Sequence, residues 1–246
     1  MQLWPLAAAL VLALVYALQA GAREEGVLKG LWGPHRRVSA AAGISVAYVF
    51  VDILPELATQ NEALRASAQG EMLFAEQRIY LLTLLSFVVM YGIDHIVLSR
   101  RDQRQGSIER GESDAAYWLH ISGYAAYSAL IGYLLIERAG RGYAALGVYA
   151  LAMAVHFVVV NHSLSEEHGR LYRRQGHWLL AASVLAGWAI GATLTLSDAT
   201  FARLFALLAG GVVITSLRSE LPDDRSGRFW PFCFASVAFA IVLVLA

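Results

Sequence analysis

Charge is scarce in this chain. Of 246 residues only 15% are Asp, Glu, Lys or Arg, the two signs cancel to a net charge of zero, and the only lysine is Lys29. A nucleic-acid surface requires a basic patch, so that class of partner is excluded. Lys29 sits in a polar stretch, which removes a retinal protein, whose chromophore needs a lysine within its last helices. One cysteine, Cys233, rules out an internal disulfide framework and any four-cysteine zinc module. What fills the chain instead is apolar: 58% of residues are hydrophobic and the mean hydropathy is +0.53. A span of the ~30 Å hydrocarbon core takes about 20 residues of helix, so eight spans use roughly 160 residues and leave no room for a separate soluble domain.

Hydropathy divides the sequence into eight apolar segments at 3–20, 38–56, 79–98, 115–137, 143–164, 177–197, 200–217 and 229–246. The expected fold is therefore all-α: a polytopic integral membrane protein of eight transmembrane helices, with residues 1–246 as one transmembrane domain in contact with the lipid bilayer. Charge collects in the separators 21–37, 99–114, 165–176 and 218–228. Fourteen Lys and Arg residues fall in the first, third, fifth and seventh connections and five in the others, Arg65, Arg78, Arg138, Arg141 and Arg203. Because cytoplasmic loops retain positive charge, this split places both termini outside a cell membrane. Ala20-Gly21-Ala22 resembles a signal-peptidase site, but cleavage there would put the fourteen charges on the wrong side, and the segment lacks a basic leader.

An ionisable group inside a membrane is expensive and is a functional candidate for that reason. The second segment carries Asp52 and Glu56, the third Asp94 and His95, the fourth His120, and the fifth His156 and His162. At 1.5 Å per residue, Asp52 and Glu56 lie near the outer mouth, while Asp94, His95, His120 and His156 lie within ~5–12 Å of the cytoplasmic ends. Groups so near a helix end also snorkel to the interface, which is the competing structural reading. On the fourth segment His120, Tyr124, Tyr127 and Ser128 share a face, and Gly123, Ala125, Ala126, Ala129 and Gly132 admit a close neighbouring backbone. That face should be buried in protein. His156 and His162 stand about 120° apart on a helix and form separate features. His162 shares a face with Glu166, as a weak ion pair or as half of a metal-handling vestibule.

The pattern resembles the ZIP (Zrt/Irt-like) divalent metal transporters. The segment GISVAYVFVDILPEL (43–57) is similar to that family's glycine-led second helix ending in H-x-L-P-E/D, with Asp52 at the position of a common histidine. FALLAGGVVITSLRSELPDD (205–224) is similar to the seventh helix and its terminal turn, here Leu221-Pro222-Asp223. The resemblance implies a ZIP-like bundle with an inner set of the second, fourth, fifth and seventh helices, and transport of a divalent cation such as zinc, iron or manganese. No tightly bound cofactor is expected, and a homodimer is compatible with it. His120 and His156 would be the inherited ligands, Asp52 and Glu56 would gather ions at the outer mouth, and His162 with Glu166 would receive them inside.

The fourth helix reads HISGYA from His120, where the family has H-N-x-P-E-G, and the fifth reads HFVVVN from His156. Tyr124 and Val160 thus stand where bridging ligands are usual, and at most one ion per chain is expected. A ZIP-fold scaffold or regulator without transport is the alternative. A zinc-dependent intramembrane hydrolase would need Asp94, His120 and His156 to converge. No hydrolase motif supports it, and the chain is read as not an enzyme.

Overall fold

The computed structural model describes residues 3–19, 34–67, 77–104, 114–217 and 229–245, and among them every regular element is a helix. The turn at Leu221-Pro222-Asp223, the Ala20-Gly21-Ala22 site, the His35 side chain and much of the charge of the first, third and seventh connections lie outside the described residues. The elements are α1 (Leu3–Gln19), α2 (Pro34–Tyr48), α3 (Leu54–Ser67), α4 (Arg78–Arg104), α5 (Asp114–Gly140), α6 (Tyr143–Leu171), α7 (His177–Thr193), α8 (Asp198–Thr215) and α9 (Phe229–Leu245). Five helical runs are long and apolar enough to cross a membrane, and α1 and α9 are shorter apolar helices.

Two junctions differ from the expected boundaries. The second apolar segment does not stop at Pro55. Proline cannot donate to the carbonyl four residues back, and the helix widens into a π turn at Val49–Ile53, where the Leu54 N–H reaches back to the Val49 carbonyl. Helical structure then continues through α3.

The second junction is at 165–176, expected to be a polar loop. It is helical, with a break at Gly169, whose φ of 53° and ψ of −117° leave the helical region. A π turn at Tyr172–Gly176 leads into α7. The Tyr172 hydroxyl donates to Asn161 Oδ1 at 2.5 Å. Eleven residues of straight helix rise about 16 Å, more than these two side chains can bridge, so the chain folds back at Gly169. His168, within the stretch expected to be a loop, and His177, at the start of the next apolar segment, are both buried.

The helices pack as two groups. In the first, α5 lies against α7, and α1 wedges between α6 and α7; in the second, α2 packs on α9, and α8 packs on α4 and α3. Close backbone approach holds each group. A Cβ added at Gly132 would strike the Val184 carbonyl, and one at Gly187 the Ala129 carbonyl, so the small-residue stripe of α5 does receive a neighbouring helix. In the second group Gly43 meets the Phe232 carbonyl and Gly210 the Thr83 carbonyl. The outward faces of α4 and α9 expose Leu84, Leu85, Val88, Phe234, Val237 and Ile241, a surface suited to lipid.

Candidate metal centre

Among the described residues, α5 carries a buried polar face. His120, Tyr124, Tyr127 and Ser128 are all buried, as their shared face required. Around His120, α4 of the second group contributes Asp94 and the end of α6 contributes Glu167 and His168. His120 Nε2 lies 2.7 Å from Asp94 Oδ1, and His120 Nδ1 lies 2.6 Å from His168 Nε2. Glu167 Oε2 is 3.8 Å from the same Nδ1. One ligand atom from each of His120, Glu167 and His168 can be chosen so that all lie within 4.8 Å of one another, a spacing that could hold a metal ion.

Glu167 and His168 occupy the last positions of α6 before the break at Gly169, and just beyond it the Tyr117 hydroxyl donates to the Leu171 carbonyl at 3.4 Å. The Tyr117 and Tyr124 rings pack edge-on against His168 and His120, at 5.2 and 5.1 Å between centroids, restricting both imidazoles. Asp94 is 2% exposed. The ZIP-like arrangement expected for the third helix would have left it outside the inner bundle. Here it touches the central histidine.

His156 does not join this cluster. It is twelve residues from His168 on α6, about 18 Å along the axis, and its Nε2 lies 2.9 Å from the Tyr127 hydroxyl and 3.5 Å from Thr215 Oγ1. The convergence of His120 and His156 on one ion, which both the transporter and the hydrolase readings invoked, is therefore absent from this arrangement.

Asp52 and Glu56 occupy the opposite end, and neither faces an open mouth as a bare anion. Asp52 receives Arg138 Nη2 at 2.8 Å and Nη1 at 3.3 Å. Glu56 receives both terminal nitrogens of Arg141, at 2.5 and 2.8 Å, and Gln60 Nε2 at 2.7 Å. Donating hydrogen bonds to Glu56 raises the Arg141 guanidinium above its ordinary range, so it stays charged. The carboxylates expected to concentrate cations are neutralised in place by the α5–α6 turn. There Gly142, at φ 120°, lets the chain reverse just beyond the second arginine. His162 and Glu166 do pair, at 3.4 Å, but at 60% and 72% exposure they are a surface pair one helix face away from the cluster. His95 stacks on Tyr91 at 6.0 Å and is exposed.

No family model, curated protein or solved structure matches the chain. Among the described residues the chain is all-helical, with helices long and apolar enough to cross a membrane and a histidine–carboxylate cluster centred on the buried His120. Sequence reasoning missed Glu167 and His168 because SEEHGRLYRRQG reads as loop; the glycine after the histidine was the available signal.

Proposed function

We propose that the protein passes divalent metal ions of the zinc class across a membrane, with His120, Glu167 and His168 as the ligands of one transient site. The observation that carries this reading is the juxtaposition of buried His120 and His168 with half-buried Glu167, and Asp94 behind them. Desolvating a divalent cation is prohibitive unless anions offset its charge. Asp94 and Glu167 supply two negative charges, and the two imidazoles supply borderline-soft nitrogens, a donor set suited to zinc. With metal–nitrogen bonds of about 2.05 Å, a tetrahedral ion spreads His120 Nδ1 and His168 Nε2 to about 3.3 Å and replaces the hydrogen they share. The three ligands leave a fourth position open, as a site that must release its ion requires.

In this reading the two limbs on either side of Gly169 are separate spans, and α1 and α9 also cross, giving eight. The positive-inside count then turns the cluster toward the cytoplasm and the Arg138 end outward. Cysteine labelling in a Cys233→Ser background tests this sidedness, since position 141 should react from outside intact cells. Transport is tested in proteoliposomes enclosing a fluorescent zinc indicator. Uptake that His120→Ala and His168→Ala each abolish, with folded protein retained, is the expected result. Zinc uptake unchanged in both variants overturns the ligand assignment, and its absence from the unsubstituted protein overturns transport.

A further inference from the structure

We infer that Asp94 is a positioning residue for the metal site: it fixes the ring of His120 so that the Nδ1 lone pair, and not an N–H, faces the cation. The inference rests on the metal-binding reading above and adds to it a residue from the other helix group.

The chemistry follows from one contact. An ionised carboxylate only accepts hydrogen bonds, so the 2.7 Å approach of Asp94 Oδ1 to His120 Nε2 places the hydrogen on Nε2. The remaining nitrogen, Nδ1, is then the ligand atom, and it is Nδ1 that lies beside His168 and Glu167. A carboxylate behind a ligating imidazole also raises its basicity and holds its plane. Both partners are almost wholly buried, His120 at 1% and Asp94 at 2%, so water does not replace the contact.

The placement has a consequence for how the site works. His120, Glu167 and His168 all belong to the first helix group, whereas Asp94 projects from α4 of the second. The three ligands share one group, and the residue that orients His120 belongs to the other. Affinity for the ion therefore depends on how the two groups are docked, since a shift of α4 past α5 would free the His120 ring while leaving the backbone that carries the ligands in place.

The test uses the full chain in detergent with cobalt as probe, whose visible absorption reports ligand number and geometry. Asp94→Leu should weaken cobalt binding by about 10- to 100-fold, Asp94→Glu should recover most of it, and Asp94→Asn should fall between. Nitrogen-15 spectra of labelled histidine in the metal-free protein give a readout that loss of packing alone does not move. His120 should show a single form protonated at Nε2, becoming a mixture in Asp94→Asn or Asp94→Leu. If the unsubstituted protein binds no cobalt, the metal reading fails and this inference with it. If it binds cobalt and the Asp94 variants bind equally well, or if His120 is protonated at Nδ1, the metal reading stands and the positioning role of Asp94 is overturned. Should Asp94→Leu not fold, Asp94→Asn alone decides.

Discussion

The two ends of this molecule join the same pair of helix groups by opposite chemistry. At one end Asp52 and Glu56 meet Arg138 and Arg141, so each anion is matched by a guanidinium that cannot lose its charge. At the other, Asp94 and Glu167 face His120 at 2.7 and 3.8 Å, and an imidazole in its neutral form offsets neither negative charge. The first end pairs its carboxylates with permanent cations, and the second sets its carboxylates against imidazoles. Fork geometry reinforces the contrast: Arg138 spreads two nitrogens over one carboxylate and lies over the Tyr149 ring at 5.6 Å, an arrangement that fixes direction and distance. His120 and His168 meet through a single Nδ1–Nε2 approach of 2.6 Å, without a fork. The difference teaches that a pair of acidic residues can gather cations only if arginine has not reached them first.

The sharpest break in this comparison is removal of a ligand. Zinc at 100 times its dissociation constant should add about 2.7 kcal/mol to stability, seen as a rise in the midpoint of thermal unfolding of purified protein. That rise should vanish in His120→Ala and His168→Ala and persist in variants at positions 138 and 141. A rise preserved in both histidine variants, or lost in the arginine variants, would dissolve the contrast.

Next in size is the arginine end. Arg138→Ala leaves Asp52 beside Tyr48 and Tyr149 without its counter-charge. Removing one partner of a fully buried pair costs about 3–5 kcal/mol; because Asp52 is 23% exposed, a cost nearer 2 kcal/mol is expected by denaturant titration. Arg138→Met combined with Asp52→Leu should restore most of it, since neither change then strands a charge. A double variant no better than Arg138→Ala would show that the arginine stem, and not charge pairing, holds this end.

How far all this was visible in the sequence depended on which force acted. The α5 face was legible because helical periodicity alone places His120, Tyr124, Tyr127 and Ser128 together, and a polar stripe on an apolar helix has to be covered by protein. Depth also pointed correctly to Asp94, at the same level as His120 from the helix end. The family resemblance argued it away by assigning the third helix to the periphery. His168 was hidden for a different reason: one residue in a left-handed conformation converts an apparent loop into a helical fold-back, and composition cannot report a single φ angle. The pairing at the other end combined two readable spacings, Asp52 with Glu56 at i, i+4 and Arg138 with Arg141 at i, i+3. Only tertiary packing shows that they interlock, and the arginines had been counted as signs of orientation alone.

Arg141→Ala sharpens the comparison on a smaller scale. Its guanidinium is 37% exposed, and water can take over part of its role toward Glu56. A loss of about 1 kcal/mol or less is expected, as for other surface pairs, and it should shrink as salt is added.

The smallest effect is assigned to His162, and it separates a metal vestibule from a surface ion pair. His162 and Glu166 lie one turn apart on α6, both more than half exposed, with their charged atoms 3.4 Å apart. A solvated i, i+4 pair of this kind is worth about 0.3–0.5 kcal/mol, and both partners lie outside the buried atoms that surround His120. His162→Ala should therefore change stability by no more than that, and zinc affinity and uptake by less than twofold. Glu166→Gln should behave in the same way, while Glu167→Gln, one residue further on but turned toward His120, should weaken zinc binding at least tenfold. A tenfold loss of uptake in His162→Ala with zinc affinity intact would instead place this pair on the ion's exit route, and the cation-handling end would then extend beyond the buried cluster to the helix surface.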